Sequence, residues 1–186
     1  MLTIKIKGRE LYNSSTREFI QVKDTTLSLE HSLVSISKWE AKWHKPFISK
    51  DQKTHEETID YIRCMTITQN VDPNVYSALS ENNIKEINNY IDDSMTATWF
   101  TENKNPNAPS PPKRSSEQIT SELIYYWMVA FQIPFECQRW HLNRLLVLIR
   151  ICNIKNQPSK KASKHDTMSR NASLNAARRK KLGTSG

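Results

Sequence analysis

Glycine is nearly missing from this chain: Gly8, Gly183 and Gly186 are the only three in 186 residues. Walker and dinucleotide cradles need clustered glycines, because only a residue without Cβ lets the backbone close on a phosphate, so both are excluded. No Gly-x-Ser-x-Gly elbow occurs either. Cysteine is as scarce. Cys64, Cys137 and Cys152 stand far apart with no Cys-x-x-Cys pair, and a disulfide would leave an odd thiol over, so they read as buried thiols acting as small apolar residues. No two of His31, His44, His55, His141 and His165 stand four residues apart, the spacing a helical zinc pair would use. The longest strongly apolar run, Leu145–Cys152, is broken by Arg150 and is much shorter than the ~20 residues a bilayer requires. The alternating start, Met1-Leu2-Thr3-Ile4-Lys5-Ile6-Lys7, lacks a signal peptide's apolar centre. No membrane partner and a cytoplasmic setting are expected.

Acid is missing from the C-terminal end. Residues 157–186 carry eight cations, Lys160, Lys161, Lys164, Arg170, Arg178, Arg179, Lys180 and Lys181, against one acid, Asp166. The chain as a whole is +8, so residues 1–156 are within one charge of neutral. The pI of 9.4 describes an appendage, and a neutral body with a cationic arm suggests contact with something acidic.

What is present organises the rest. Residues 1–30 read as β: Leu2, Ile4 and Ile6 alternate, Tyr12-Asn13-Ser14-Ser15 suits a turn, and Phe19–Val22 and Thr26–Leu29 suit returning strands. A small antiparallel sheet of two or three strands is expected, leaning on helices because alone it is marginal. Residues 31–100 read as helical. Leu33, Ile36, Trp39 and Trp43 keep helical spacing, Ser37-Lys38-Trp39-Glu40 suits a capping box inside that stretch, and Pro46 stops the helix. Thr54-His55-Glu56-Glu57 is a cleaner box, followed by the stripe Ile59, Ile62 and Met65. Pro73 opens a short helix ending near Leu79; Ser80 caps another with Ile84, Ile87 and Ile91 on one face.

Residues 101–116 hold four prolines and no large apolar side chain, a linker composition. Residues 117–156 then give a helical hairpin packed on the same body. Ile119, Leu123, Ile124, Trp127, Met128 and Phe131 form one stripe; Pro134 restarts the chain; Phe135–Cys152 continues as a second helix with Leu142, Leu145, Leu146 and Ile149 inward. Trp127 and Leu145 are assigned to the core. The tail, residues 157–186, allows a weak helix over Ser169–Lys181 with little to pack, either flexible or ordered by a partner. The fold class is mainly α: a helical bundle with a small N-terminal antiparallel β element and a basic C-terminal tail.

Candidate chemistry is thin. Cys137 and His141 sit one predicted turn apart, but nothing supplies an orienting third group or an oxyanion hole. Glu56, Glu57 and Asp60, and Asp92-Asp93, read as dipole complements and an exposed turn. Glu136, Trp140 and Arg144 fall on one face of the predicted helix, with His141 beside them. Trp140 and Arg144 are of the residue types that anchor interfaces. The Trp39/Trp43-His44-Lys45-Pro46-Phe47 stretch suits stacking on single-stranded nucleic acid, but core packing is the better reading for a neutral body. Catalytic residues, metal ligands and cofactors are all read as none.

Several stretches resemble a family of small proteins from tailed-bacteriophage genomes: Ser28–Phe47, Glu57–Ile62, Met95–Thr98, Ile124–Met128, Ile133–Leu146 and Ser169–Arg179. Such proteins are placed among morphogenesis genes and associated with tail-assembly chaperones. The resemblance implies a non-enzymatic protein working through contacts with other phage structural or tail proteins, as a tail assembly chaperone or as a tail or connector component. It would act in the host cytoplasm during assembly or in the virion. Partner binding is assigned to Trp140, Arg144, Lys160, Lys161, Lys164, Arg170, Arg178, Arg179, Lys180 and Lys181. A second copy of the chain is a further candidate partner. The alternative is a nucleic-acid-binding accessory protein using the basic tail.

Overall fold

The computed structural model describes residues 1–13, 17–49, 51–100, 118–156 and 164–183. Four strands occupy the N-terminal stretch: β1 (Leu2–Ile6), β2 (Arg9–Asn13), β3 (Glu18–Val22) and β4 (Thr25–Leu29). They form two antiparallel ladders and not one sheet of two or three strands, β1 with β4 and β2 with β3. Leu2 lies opposite Leu29 in the first ladder, and Arg9 opposite Val22 in the second. Both ladders share one register, so they are two arms of a single long hairpin bent at Lys7-Gly8 and Lys23-Asp24.

The bend explains one glycine. Gly8 N–H donates to Asp24 Oδ1 at 2.6 Å. A Cβ on Gly8 would stand 2.5 Å from the Val22 carbonyl oxygen and 2.9 Å from the Asp24 nitrogen, both backbone atoms that cannot swing away. Gly8→Ala is therefore expected to cost about 1–3 kcal/mol through forced backbone shifts. Urea denaturation reads this directly, and an unchanged midpoint would mean that the bend relaxes freely.

The hairpin's inner face, Ile4, Ile6, Val22, Leu27 and Leu29, is buried. Its tip exposes Tyr12 and Phe19, a cross-strand pair with ring centroids 5.1 Å apart. Glu30 N–H donates to Met65 O at 2.9 Å and Ile67 N–H to Ser28 O at 2.8 Å, so the chain leaving the second helix covers the outer edge of β4.

Helix α1 (Leu33–Trp43) starts earlier than the expected Ser37 cap. Ser32 is the N-cap and Ser35 takes the role usually given to Glu: Ser32 N–H donates to Ser35 Oγ at 2.9 Å, and Ser35 N–H returns to Ser32 Oγ at 3.3 Å. The helix ends ahead of Pro46, at His44, whose φ of 52° is the left-handed cap conformation. Helix α2 (His55–Met65) carries the expected Thr54/Glu57 capping box, with Ile62 and Met65 buried and Ile59 partly so. Pro73–Ala78 is a 3-10 turn capped by Asp72, and α3 (Glu81–Asp92) starts at Ser80 as read, with Ile87 buried.

Helix α4 (Ser121–Ala130) places Ile124 and Met128 in the core. Residues 135–152 are not one helix. Phe135–Arg139 is a 3-10 segment, Trp140 is extended, and α5 runs Leu142–Asn156. The physical cause is tertiary: Leu142 N–H donates to His31 O at 2.7 Å, and Ser32 and His141 form an isolated antiparallel bridge. That contact claims the backbone that a continuous helix would use. Leu145 is fully buried, as assigned, whereas Trp127 is only partly buried against the core's edge.

The core joins the hairpin face to α1, α2, α4 and α5 around Trp39, Leu33, Ile36, Ile62, Met65, Ile124, Met128 and Leu145. Trp39 settles the aromatic stretch in favour of packing: it is buried, and its Nε1–H donates to Glu57 O at 2.9 Å. The chain divides into two compact units, Met1–Asn153 and Ile154–Gly186. The second unit contains α6 (Lys164–Leu182), longer than the expected Ser169–Lys181, and Gly183 ends it at φ 65°. Among the described residues no helix is long and apolar enough to cross a membrane. The proline-rich stretch 101–116 lies outside the described residues.

Candidate interaction surfaces

Two polar systems in the body are built for its interior. Glu40, buried on α1, accepts Phe47 N–H at 2.7 Å on one carboxylate oxygen and Ser121 N–H at 2.7 Å on the other. Ser121 opens α4, so Glu40 caps that helix from a distance and places a negative charge at its positive end. The second system lies where β4 passes into α1. His31 Nδ1 meets the Tyr61 hydroxyl at 2.5 Å, and its ring stands 5.0 Å from that of His141. His141 Nε2 lies 2.9 Å from Tyr90 O. A carbonyl only accepts, so Nε2 carries a proton, while the buried Nδ1 has no hydrogen-bond partner. Tyr90 in turn donates to Glu30 at 2.5 Å, whose other oxygen meets the N-terminal ammonium at 2.9 Å.

Burial first, and His141 second, pull the His31 pKa down to about 3. Burial pushes the Tyr61 hydroxyl up, and burial with the Glu30 carboxylate does the same to Tyr90. His31, Tyr61 and Tyr90 therefore stay neutral near pH 7. Cys137 belongs to no nucleophile pair: it lies in the 3-10 segment, buried, while His141 opens the next element with its Nε2 taken.

Two members of the first acidic cluster, Glu57 and Asp60, are likewise occupied. Glu57 closes the α2 capping box and pairs with Lys45 at 2.6 Å; Asp60 holds Lys42 at 2.5 Å and Trp43 Nε1–H at 2.9 Å. Lys45 and the Thr54 backbone hold the Glu57 carboxyl below its usual range. At Asp60 burial pushes upward, but the Lys42 and Trp43 hydrogen bonds outweigh it and the net direction is down. The cleft beside them, about 550 Å³, is lined in part by the paired Lys42 and Asp60 and by Glu56, Arg63 and Tyr76. Among the described residues no group of three or more His, Cys, Asp and Glu side chains could hold a metal ion.

The outward surface of α4 differs. Ser121-Glu-Leu-Ile-Tyr-Tyr-Trp-Met-Val-Ala has no polar face after Glu122. Ile124 and Met128 fill the core, yet Tyr126 is 65% and Val129 61% exposed, one turn apart on the opposite side. Beside α4, a groove of about 330 Å³ runs along α5, lined by Trp127, Phe131, Leu146, Ile149 and Arg150. Phe135 is half exposed and lies near Tyr125, ring centroids 6.5 Å apart. The composition of α4 carried this signal, since six stripe residues were assigned inward while Tyr126 and Val129 had nowhere polar to hide.

Of the residues assigned to partner binding, Trp140 and Arg144 do meet, the guanidinium carbon 4.4 Å from the ring centroid. They meet across the start of α5, and Glu136 is not on their helix. Arg170, Arg178, Arg179, Lys180 and Lys181 are exposed along α6. Lys164 is the first residue of α6; Lys160 and Lys161 lie outside the described residues. Compared with family models, with curated proteins and with solved structures, the chain matches none.

Proposed function

We propose that this chain is a non-enzymatic morphogenesis or virion structural protein of a tailed bacteriophage, acting through protein–protein contacts. Its most specific form is a tail assembly chaperone, with a tail or connector component as the structural variant of the same reading. The family comes from the sequence resemblance. The physical support is the α4 surface, where a helix that already fills the core with Ile124 and Met128 also exposes Tyr126 and Val129. Exposed apolar side chains grouped in this way mark contact surfaces. Trp140 with Arg144 stacked on it adds an anchor of the type that dominates interfaces.

Mass spectrometry of assembly intermediates and of purified mature particles tests the reading. A chaperone will be present in intermediates and lost from particles, a structural component will be retained at fixed stoichiometry, and absence from both overturns the proposal. The surface assignment has its own test. Tyr126→Ser with Val129→Ser should move stability by no more than about 0.5 kcal/mol per site, as exposed positions do. The same pair should abolish co-sedimentation with the intermediates that retain the wild-type chain. A large loss of stability would instead place both residues in the core.

A further inference from the structure

The cationic helix is the charged surface that the protein-contact reading does not use. α6 spans 19 residues, about 28 Å at 1.5 Å per residue. Its residues from Met168 onward are exposed throughout. Cations at a helix C-terminus complement the macrodipole, but the last turn alone could be satisfied by one or two. Here Arg178, Arg179, Lys180 and Lys181 follow one another, so steps of about 100° carry positive charge almost around the axis. No acidic residue follows Asp166.

The lateral arrangement is more specific than the charge. Asn171, Asn175 and Arg178 stand at i, i+4 and i+7 and share one face. Arg170 and Lys181 flank that face on one side and Arg179 on the other. Asparagine and arginine are the side chains that pair bidentately with adenine and guanine edges in the major groove. A helix about 10–12 Å across fits a B-form major groove about 12 Å wide, which presents a wall of phosphates on each side. The deep, narrow major groove of A-form RNA does not admit it. A single strand suits it poorly as well, because α6 has no Phe, Tyr or Trp for bases to stack on.

We propose that α6 is a duplex-DNA-binding helix, seated in the major groove with Asn171, Asn175 and Arg178 toward the base edges and Arg170, Arg179 and Lys181 on the flanking phosphates. The inference stands apart from the α4 surface, so either can fail alone. Most of the affinity comes from counterion release, at about 0.9 units of salt slope per phosphate neutralised on B-DNA.

Fluorescence anisotropy of the full chain with a labelled 20-base-pair duplex tests this, titrated at several salt concentrations beside the matching single strand. The wild-type chain should prefer the duplex. Replacing Arg178, Arg179, Lys180 and Lys181 together by glutamine removes two of the phosphate contacts and should flatten the slope by about 2 units. The thermal midpoint of the Met1–Asn153 unit should not move. Unchanged duplex affinity and slope in that variant would overturn the proposal and return the arm to a protein surface. Ala176→Pro keeps every charge but breaks the helix. It should bring duplex binding down to the single-strand level. Duplex binding as tight as wild type in Ala176→Pro, or a wild-type chain that binds the single strand as well as the duplex, would reduce α6 to an unshaped polyelectrolyte and overturn the groove reading.

Discussion

Replacing Glu40 by alanine will lower the unfolding free energy by about 2–4 kcal/mol, because the buried Ser121 N–H and the partly buried Phe47 N–H lose their acceptor, and a fully buried donor costs about 1–3 kcal/mol unsatisfied. The donors are Phe47 N–H, in the turn after α1, and Ser121 N–H, at the first turn of α4. One carboxylate therefore fixes both the aromatic turn and the entry of α4. The loss is a large share of the roughly 5–15 kcal/mol that holds a domain together. Glu40→Gln separates the contributions: its amide oxygen still accepts one N–H, while its NH₂ group faces the other donor, so about half the loss is expected. Urea denaturation of the three proteins measures the series. A loss below about 1 kcal/mol in Glu40→Ala would mean that water reaches both donors, and the clamp would then have no energetic role.

The sequence revealed what is local. Thr54 and Glu57 were legible as a cap because both partners stand within one turn, and Ser80 and Pro73 for the same reason. Ser32 escaped notice because its reciprocal partner is Ser35 and not an acid three residues on. The stripes of α2 and α3 follow from 3.6-residue periodicity, which burial alone can enforce. Where a distant group competes for the backbone, periodicity misleads. Residues 135–152 have helical spacing throughout, yet His31 O takes the Leu142 N–H and the helix restarts there.

The same limit applies to the surfaces. Trp140 and Arg144 were legible as a pair because residues four apart meet on a helix, and they do meet although Trp140 itself is extended. Glu136 dropped out with the helix that would have aligned it. Glu40 could not be read as a clamp, since its two donors come from a turn and from the far side of the proline-rich stretch. The His31–His141 contact is of this kind too, joining the end of β4 to the start of α5. Isolated buried histidines give no spacing to recognise.

Those histidines set the second large effect, which is on stability against pH. Unfolded, His31 titrates near 6.5; folded, burial and the neighbouring His141 hold it near 3. Between these values the unfolded chain binds the extra proton, so stability falls as the pH falls, by up to about 1.4 kcal/mol per pH unit. From pH 6.5 to 4.5 the expected loss is about 2–3 kcal/mol. Tyr61 from α2 and Tyr90 from α3 face the two rings and stay protonated, and Glu30 reaches them only through Tyr90. Glu57, Asp60 and Glu122 have depressed pKa values, so what they contribute is fully present above the ordinary carboxylate range and is lost as the pH falls through that range toward their folded values. His31→Gln isolates the effect. The variant should be less stable at pH 7, having lost the Tyr61 contact, but its stability should change much less between pH 6.5 and 4.5 than that of the wild-type chain. Parallel curves for the two proteins across that window would show that His31 takes up its proton in the folded state at little cost, and the buried junction would then be open to water.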